Sequence, residues 1–403
     1  MTRIRMNENS MKTKITFSLI VVVMVLSAAQ LISAQPGAAQ VPPPPEARRH
    51  YDEGVKLFAA EKYDEAAVEF KEAIRLEPNN AGYHHAQGAV LHAMERYAEA
   101  ETEKRRAVSL APDDAFYHYQ LGVTLQELRK YAEAESEKKE ATRLEPGNAK
   151  YHNSLGATYH AQKKYAQAEN ERRMAVKIEP NNAFYHYQLS VSLNAQNKLD
   201  EDVIESREAI RLDPNNADYH NSLGITLQSL KQYAEAEREK REAVRLAPNN
   251  ADYRNSLGSV LHVQKKFAEA EVERRQATKL APKVAYYHYQ LGVTLHELQK
   301  YAEAEEAKRE ATRLAPRNAE YHDQLGITLS TAKKYEEAVA EKRIAVSLEP
   351  DNATWHYSLG NTLTWLDKWA EAEAQYREAL RLDPNNSEYQ GKLQKAIDAQ
   401  KKN

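Results

Sequence analysis

Apolar and polar positions repeat in blocks of 34 along most of this chain. In 115–148 three stripes run at helical spacing: Tyr117, Leu121 and Leu128; His118, Gly122 and Leu125; Phe116, Tyr119, Val123 and Gln126. This is the beat of a helix, not of a strand, and it predicts a first helix over about 115–128. A turn at Arg129-Lys130 leads to a second predicted helix over about 131–144, and Pro146 cannot continue it. Prolines return at Pro78, Pro112, Pro146, Pro180, Pro214, Pro248, Pro282, Pro316, Pro350 and Pro384, each 34 after the last. Glycines keep the same beat from Gly54 to Gly360, with Ser190 alone out of step. A fixed period of 34 predicts a two-helix solenoid whose core lies between neighbouring blocks. Ten blocks fill 47–386. Gly122 and Ala134 are expected where the two helices cross, because larger side chains would hold them apart. The tail 387–403 reads as one more helix, a solvating cap.

The ends are written differently. Lys12 and Lys14 precede an apolar run from Ile15 to Leu26 and then small residues, the order of a secretory signal peptide. Met11 makes a more typical start than Met1. Cleavage after Ala34 (or Ala29) gives a leader at 1–34 and an exported, periplasmic or secreted chain. The alternative is an uncleaved membrane anchor over Ile15–Ala34. A stiff Pro-rich linker follows at 35–46. The 403 residues contain no Cys, which removes disulfides and thiolate chemistry. A formal net charge of −3 gives no basicity for nucleic acid. Too little chain lies outside the blocks for a catalytic domain. No Gly-rich phosphate loop, nucleophile elbow or convergent acid pair stands out, so no enzyme and no cofactor is expected.

His118, Leu121, Gly122, Leu125, Ala134, Lys138 and Pro146 resemble the tetratricopeptide repeat pattern, W-x2-L-G-x2-Y…A-x3-F…P. The resemblance implies an all-α, right-handed superhelical α-solenoid with a concave groove lined by the first helices. It also implies a member of a family that mostly holds proteins or peptides and catalyses nothing. Two departures recur. The tryptophan position is histidine from His50 to His356, except for Arg254. The second-helix aromatic is kept as Phe70 and Tyr376 in the end blocks and is Lys, Arg or Ser206 between them. The histidines stand too far apart to share a metal, so they read as packing groups. The Lys and Arg stems are expected to lie along the surface with their heads in water. Glu135–Lys139 and its equivalents are helix-supporting i,i+4 pairs, and the basic turns, such as Lys163-Lys164, are expected to be solvated.

The third stripe is expected to face the groove. It carries Phe116 with Tyr119, Phe184 with Tyr187, Tyr286 with Tyr289, and Tyr357. Between them stand Lys150 with Asn153, Asp218 with Asn221, Asp252 with Asn255, and Glu320 with Asp323. Aromatic platforms beside amides suit a protein partner or an extended peptide segment. The other reading of these tyrosines is packing against the next first helix. Tyrosines also stack on sugars, so an envelope-organising or polysaccharide-contacting role is the alternative function. The fifth block, with Ser190, Leu199 and Asp202 in place of Gly, an aromatic and Ala, is expected to be a weak joint.

Overall fold

A computed structural model describes residues 45–401. The leader and most of the Pro-rich linker lie outside the described residues. Among those residues there are 21 helices and no strand. In the third repeat the first helix is Ala115–Glu127 and the second Tyr131–Leu144. Each later repeat copies this pair, and Ser387–Gln400 follows the last. The first helix of the array, Pro45–Ala59, begins inside the segment expected to be linker.

Local chemistry sets the ends. Asp114 caps its helix by accepting the Phe116 N–H at 2.9 Å, and Asn182 caps its helix through Phe184. The turn between the helices needs one residue in the left-handed region: Arg129 has φ 57° and Lys163 φ 61°. Its N–H then bonds back to the first helix, as Arg129 does to Gln126 O at 2.9 Å.

The crossing explains the glycines. A Cβ on Gly122 would lie 2.6 Å from Lys138 Cγ and 3.3 Å from Ala134 O. Leu121, Leu125 and Ala134 are fully buried beside it. The array forms two compact units, and the boundary falls at Glu201 and Asp202. It lies in the second helix of the fifth repeat, Leu199–Leu212. In the second unit the final helix buries Tyr389 and Ala396 against the tenth repeat. No helix of the described residues is long and apolar enough to cross a membrane.

Candidate functional site

Three layers of side chains recur along the repeats. The rearmost is the histidine ladder. His118 donates from Nε2 to Pro112 O at 2.9 Å, and its Nδ1 lies 2.6 Å from Glu137 Oε2. His84, His152, His220 and His322 repeat both contacts with their own Pro and Glu. Both ring nitrogens therefore face acceptors, and the ring satisfies both only when doubly protonated. Arg254, the exception in sequence, makes the same bridge: Nε to Pro248 O at 2.7 Å and a guanidinium N–H to Glu273 at 2.8 Å. A permanent cation fits where the histidines stand. The Glu137 and Glu239 carboxylates hold His118 and His220 above the usual imidazole range. No group of His, Cys, Asp or Glu that could hold a metal occurs among the described residues.

The middle layer corrects two expectations. Lys138 does not reach water; it is 2% exposed. Its Nζ donates to Gln126 Oε1 at 2.6 Å and to Thr158 Oγ1 of the next repeat at 2.8 Å. Lys104 and Lys308 meet Thr124 and Thr328 in the same way, and Arg172 meets Ser192. The neutral partners do not repay the lost hydration, so burial pushes the Lys104, Lys138 and Lys240 ammoniums down to about 7. The glycine leaves room for the stem, but the hydroxyl of the next repeat holds the head inside. A signal was present in the sequence: Lys104, Lys138, Arg172, Arg274 and Lys308 each have a Thr or Ser twenty residues on. The turn lysines are not simply solvated either. Lys130, Lys164, Lys266 and Lys334 bond Glu101, Glu135, Glu237 and Glu305 of the preceding repeat at 2.7–2.9 Å. Arg105, paired with Glu101, also reaches Glu133 in the next second helix at 2.5 Å.

The front layer carries the candidate groove residues. Tyr119 is 8% exposed and stacks on Tyr151, with ring centroids 5.0 Å apart. Lys150 Nζ lies 4.8 Å from the Tyr119 ring centroid. Tyr289 stacks on Tyr321 at 4.7 Å and Tyr357 on Tyr389 at 4.8 Å, each half-buried. These rings pack against the helix that holds the corresponding place in the next step of the array. Phe116 is half-buried against His85, and Tyr187 is half-buried too. Phe184 (46%) and Tyr286 (40%) are the exposed aromatics of the set. Asn153, Asn221 and Asn255 hold buried Oδ1 atoms with no hydrogen-bond partner. Lone acceptors of this kind are costly unless a donor arrives. In the second unit a cavity of about 1170 Å³ opens between the first helices Ala319–Thr331 and Ala353–Thr364. Asp323 and Ser358 form its floor, joined at 2.5 Å, and Tyr357 and Trp355 line it.

Comparison with known proteins agrees with the repeat geometry. Family models described as TPR repeat or tetratricopeptide repeat match 54–95, 119–183, 207–238, 285–318 and 353–386. No curated protein matches the sequence. Among solved structures the chain is similar to one in the APC/C hetero-tetramer Cut9-Hcn1, at 13% identity over 87% of this chain and 83% of that one, with TM-score 0.49. It is also similar to yeast Tom70, at 14% identity over 88% and 96%, with TM-score 0.43. PilF of Pseudomonas aeruginosa matches at 22% identity over 52% and 95%, with TM-score 0.45. With ten blocks in phase, a helix pair in each and these family matches spread along it, the chain belongs to the tetratricopeptide repeat family.

Proposed function

We propose that this protein is an exported, non-catalytic scaffold that holds a protein partner, or an extended segment of one, on its first-helix face. One observation carries the reading. In each unit the first helices carry an exposed aromatic ring, Phe184 in the first and Tyr286 in the second, and buried amide oxygens without donors, Asn153 in the first and Asn221 and Asn255 in the second. Exposed rings supply contact area at low entropy cost, and the amides ask for backbone N–H groups. Family membership supports the same reading, since arrays of this kind serve as interaction scaffolds. Export rests on the leader at 1–34. The test is affinity capture of the intact protein from the exporting compartment, after cross-linking, with and without Phe184→Ala/Tyr286→Ala. Both rings are exposed, so stability should change by roughly 0.5 kcal/mol or less per site. The expected result is loss of the captured protein from the variant. Retention of the same protein by the variant, or capture of polysaccharide alone, would contradict the proposal.

A further inference from the structure

Three second-helix carboxylates of the second unit are each paired with two cations: Glu237 with Arg241 and Lys266, Glu271 with Arg275 and Lys300, Glu305 with Arg309 and Lys334. Those at the front of the first helices are not. Asp218 accepts the hydroxyl of Tyr253, Asp252 that of Tyr287 at 2.5 Å, and Glu320 that of Tyr289 at 2.8 Å. No Lys, Arg or His side chain lies in ion-pairing reach of these three among the described residues. A tyrosine hydroxyl fixes where each carboxylate points and leaves its charge uncompensated.

A second observation comes from between the acids. Asn255 is 8% exposed, and its Oδ1 has no donor. It lies one helical turn beyond Asp252, at the position that Asp323 and Tyr357 occupy in the repeats lining the cavity. Asn221, one turn beyond Asp218, has the same unpartnered oxygen. Carboxylates and lone acceptors in one row lack the same thing, a donor that carries positive charge.

The cations behind this face do not supply it. Lys240, Lys308 and Lys342 are 2–4% exposed, and their Nζ atoms are turned to Ser256 O, Gln324 O and Ser358 O. Arg274 is engaged with Gln290 O and Thr294. Arg317 stands at the edge of the cavity, on the loop before Asn318, and forms no ion pair with Glu320. The first unit offers no such row: the equivalent places hold Phe116, Lys150 and Phe184.

We propose that the first-helix face from Asp218 to Glu320 holds an extended basic segment of a protein partner, its Lys or Arg side chains set against the tyrosine-held carboxylates, with Asn221 and Asn255 turning their buried amide oxygens outward to its backbone N–H groups. The inference rests on the groove reading above and names the chemistry of the occupant. First helices stand roughly 8–10 Å apart, so three steps take about eight extended residues.

The probe is a labelled Gly-Ser peptide of about ten residues, the length that spans this row. It is made with lysines and arginines, with glutamates, or with neither, and its binding to the full chain is followed by fluorescence anisotropy. The basic probe should bind and weaken as salt rises; the acidic and neutral ones should not bind. Asp218→Asn/Asp252→Asn/Glu320→Gln keeps an oxygen for each tyrosine and should weaken the basic probe by at least about tenfold, with unchanged helical circular dichroism. Equal binding of the basic probe by wild type and variant, or binding of the acidic probe, overturns the inference. The two readings separate on the captured partner. If Phe184→Ala/Tyr286→Ala loses it while the carboxylate variant keeps it, the groove stands and the basic occupant falls. If the carboxylate variant loses it as well, the basic occupant is supported.

Discussion

The third and fifth repeats solve one packing problem with opposite charges. In the third, Lys138 passes under Gly122 and gives its ammonium to Thr158 of the next repeat. In the fifth, Ser206 stands where the lysine would be and Asp202 where the alanine would be. Asp202, 1% exposed, accepts from Ser206 at 2.9 Å and from Thr226 at 2.6 Å. The threonine of the following repeat is satisfied either way, once as acceptor and once as donor. Ser190 replaces the glycine in the repeat that has lost the long stem. The buried interface is therefore set by a group of residues changing together, not by one consensus residue. The boundary between the two compact units falls in this same helix.

The largest effect is expected from a steric clash at the crossing. Gly122→Ser should cost about 2–3 kcal/mol, because its Cβ meets the Lys138 stem. Adding Lys138→Ser should recover part of that loss if the fifth-repeat solution is transferable. A denaturant double-mutant cycle reads the coupling, and additive costs would show that the two positions are independent.

Next in size is Asp202→Ala. It removes the buried carboxylate that accepts from Ser206 and Thr226 and should cost about 1–3 kcal/mol. Ser190→Gly/Asp202→Ala/Ser206→Lys rebuilds the common solution, with the glycine that the lysine stem needs, and should restore stability. It should also slow hydrogen exchange across 199–212, where the wild type is expected to open before 217–250. A triple variant no more protected than Asp202→Ala alone would refute this.

A smaller gain is expected at the turns. Lys163 holds φ 61°, which a non-glycine residue adopts at a cost. Lys163→Gly should raise stability by about 1 kcal/mol in thermal unfolding. A fall would mean that its side chain contributes more than the backbone strain removes.

The smallest effect is the pH response of one histidine bridge. The folded pKa of His118 is raised, chiefly by its hydrogen bond to Glu137, with the Glu140 carboxylate adding to it. A raised value means the bridge contributes fully below the unfolded value of about 6.5 and is lost as pH rises through the folded one. His118→Arg, which copies Arg254, should therefore gain on the wild type between pH 6 and pH 8. The buried lysines titrate in both proteins and cancel in the difference. A constant difference across that range would contradict the imidazolium assignment.

The period laid out the fold because glycine, alanine and proline mark crossings and stops at every turn of the array. The second helix, Tyr131–Leu144, falls where the spacing places it, and the first ends one residue early at Glu127. The buried lysines were not legible in the same way. A lysine in an aromatic slot reads as surface when only its own helix is considered; its hydroxyl partner lies one repeat away. Of the candidate groove residues, stripe position alone separated neither Tyr119, held beneath Lys150 and against Tyr151, nor exposed Phe184. The neighbour in the next repeat decides that difference, and spacing within one repeat does not contain it.

Position-specific photocross-linking shows whether partners bind on the first-helix face. A benzophenone residue placed at Phe184 or Tyr286 samples that face, and one at Ile204 or Val272 samples exposed apolar positions on second helices. Cross-links to one protein are expected from 184 and 286 and none from 204 and 272. Cross-links to that partner from 204 and 272, with 184 and 286 silent, would contradict binding on the first-helix face.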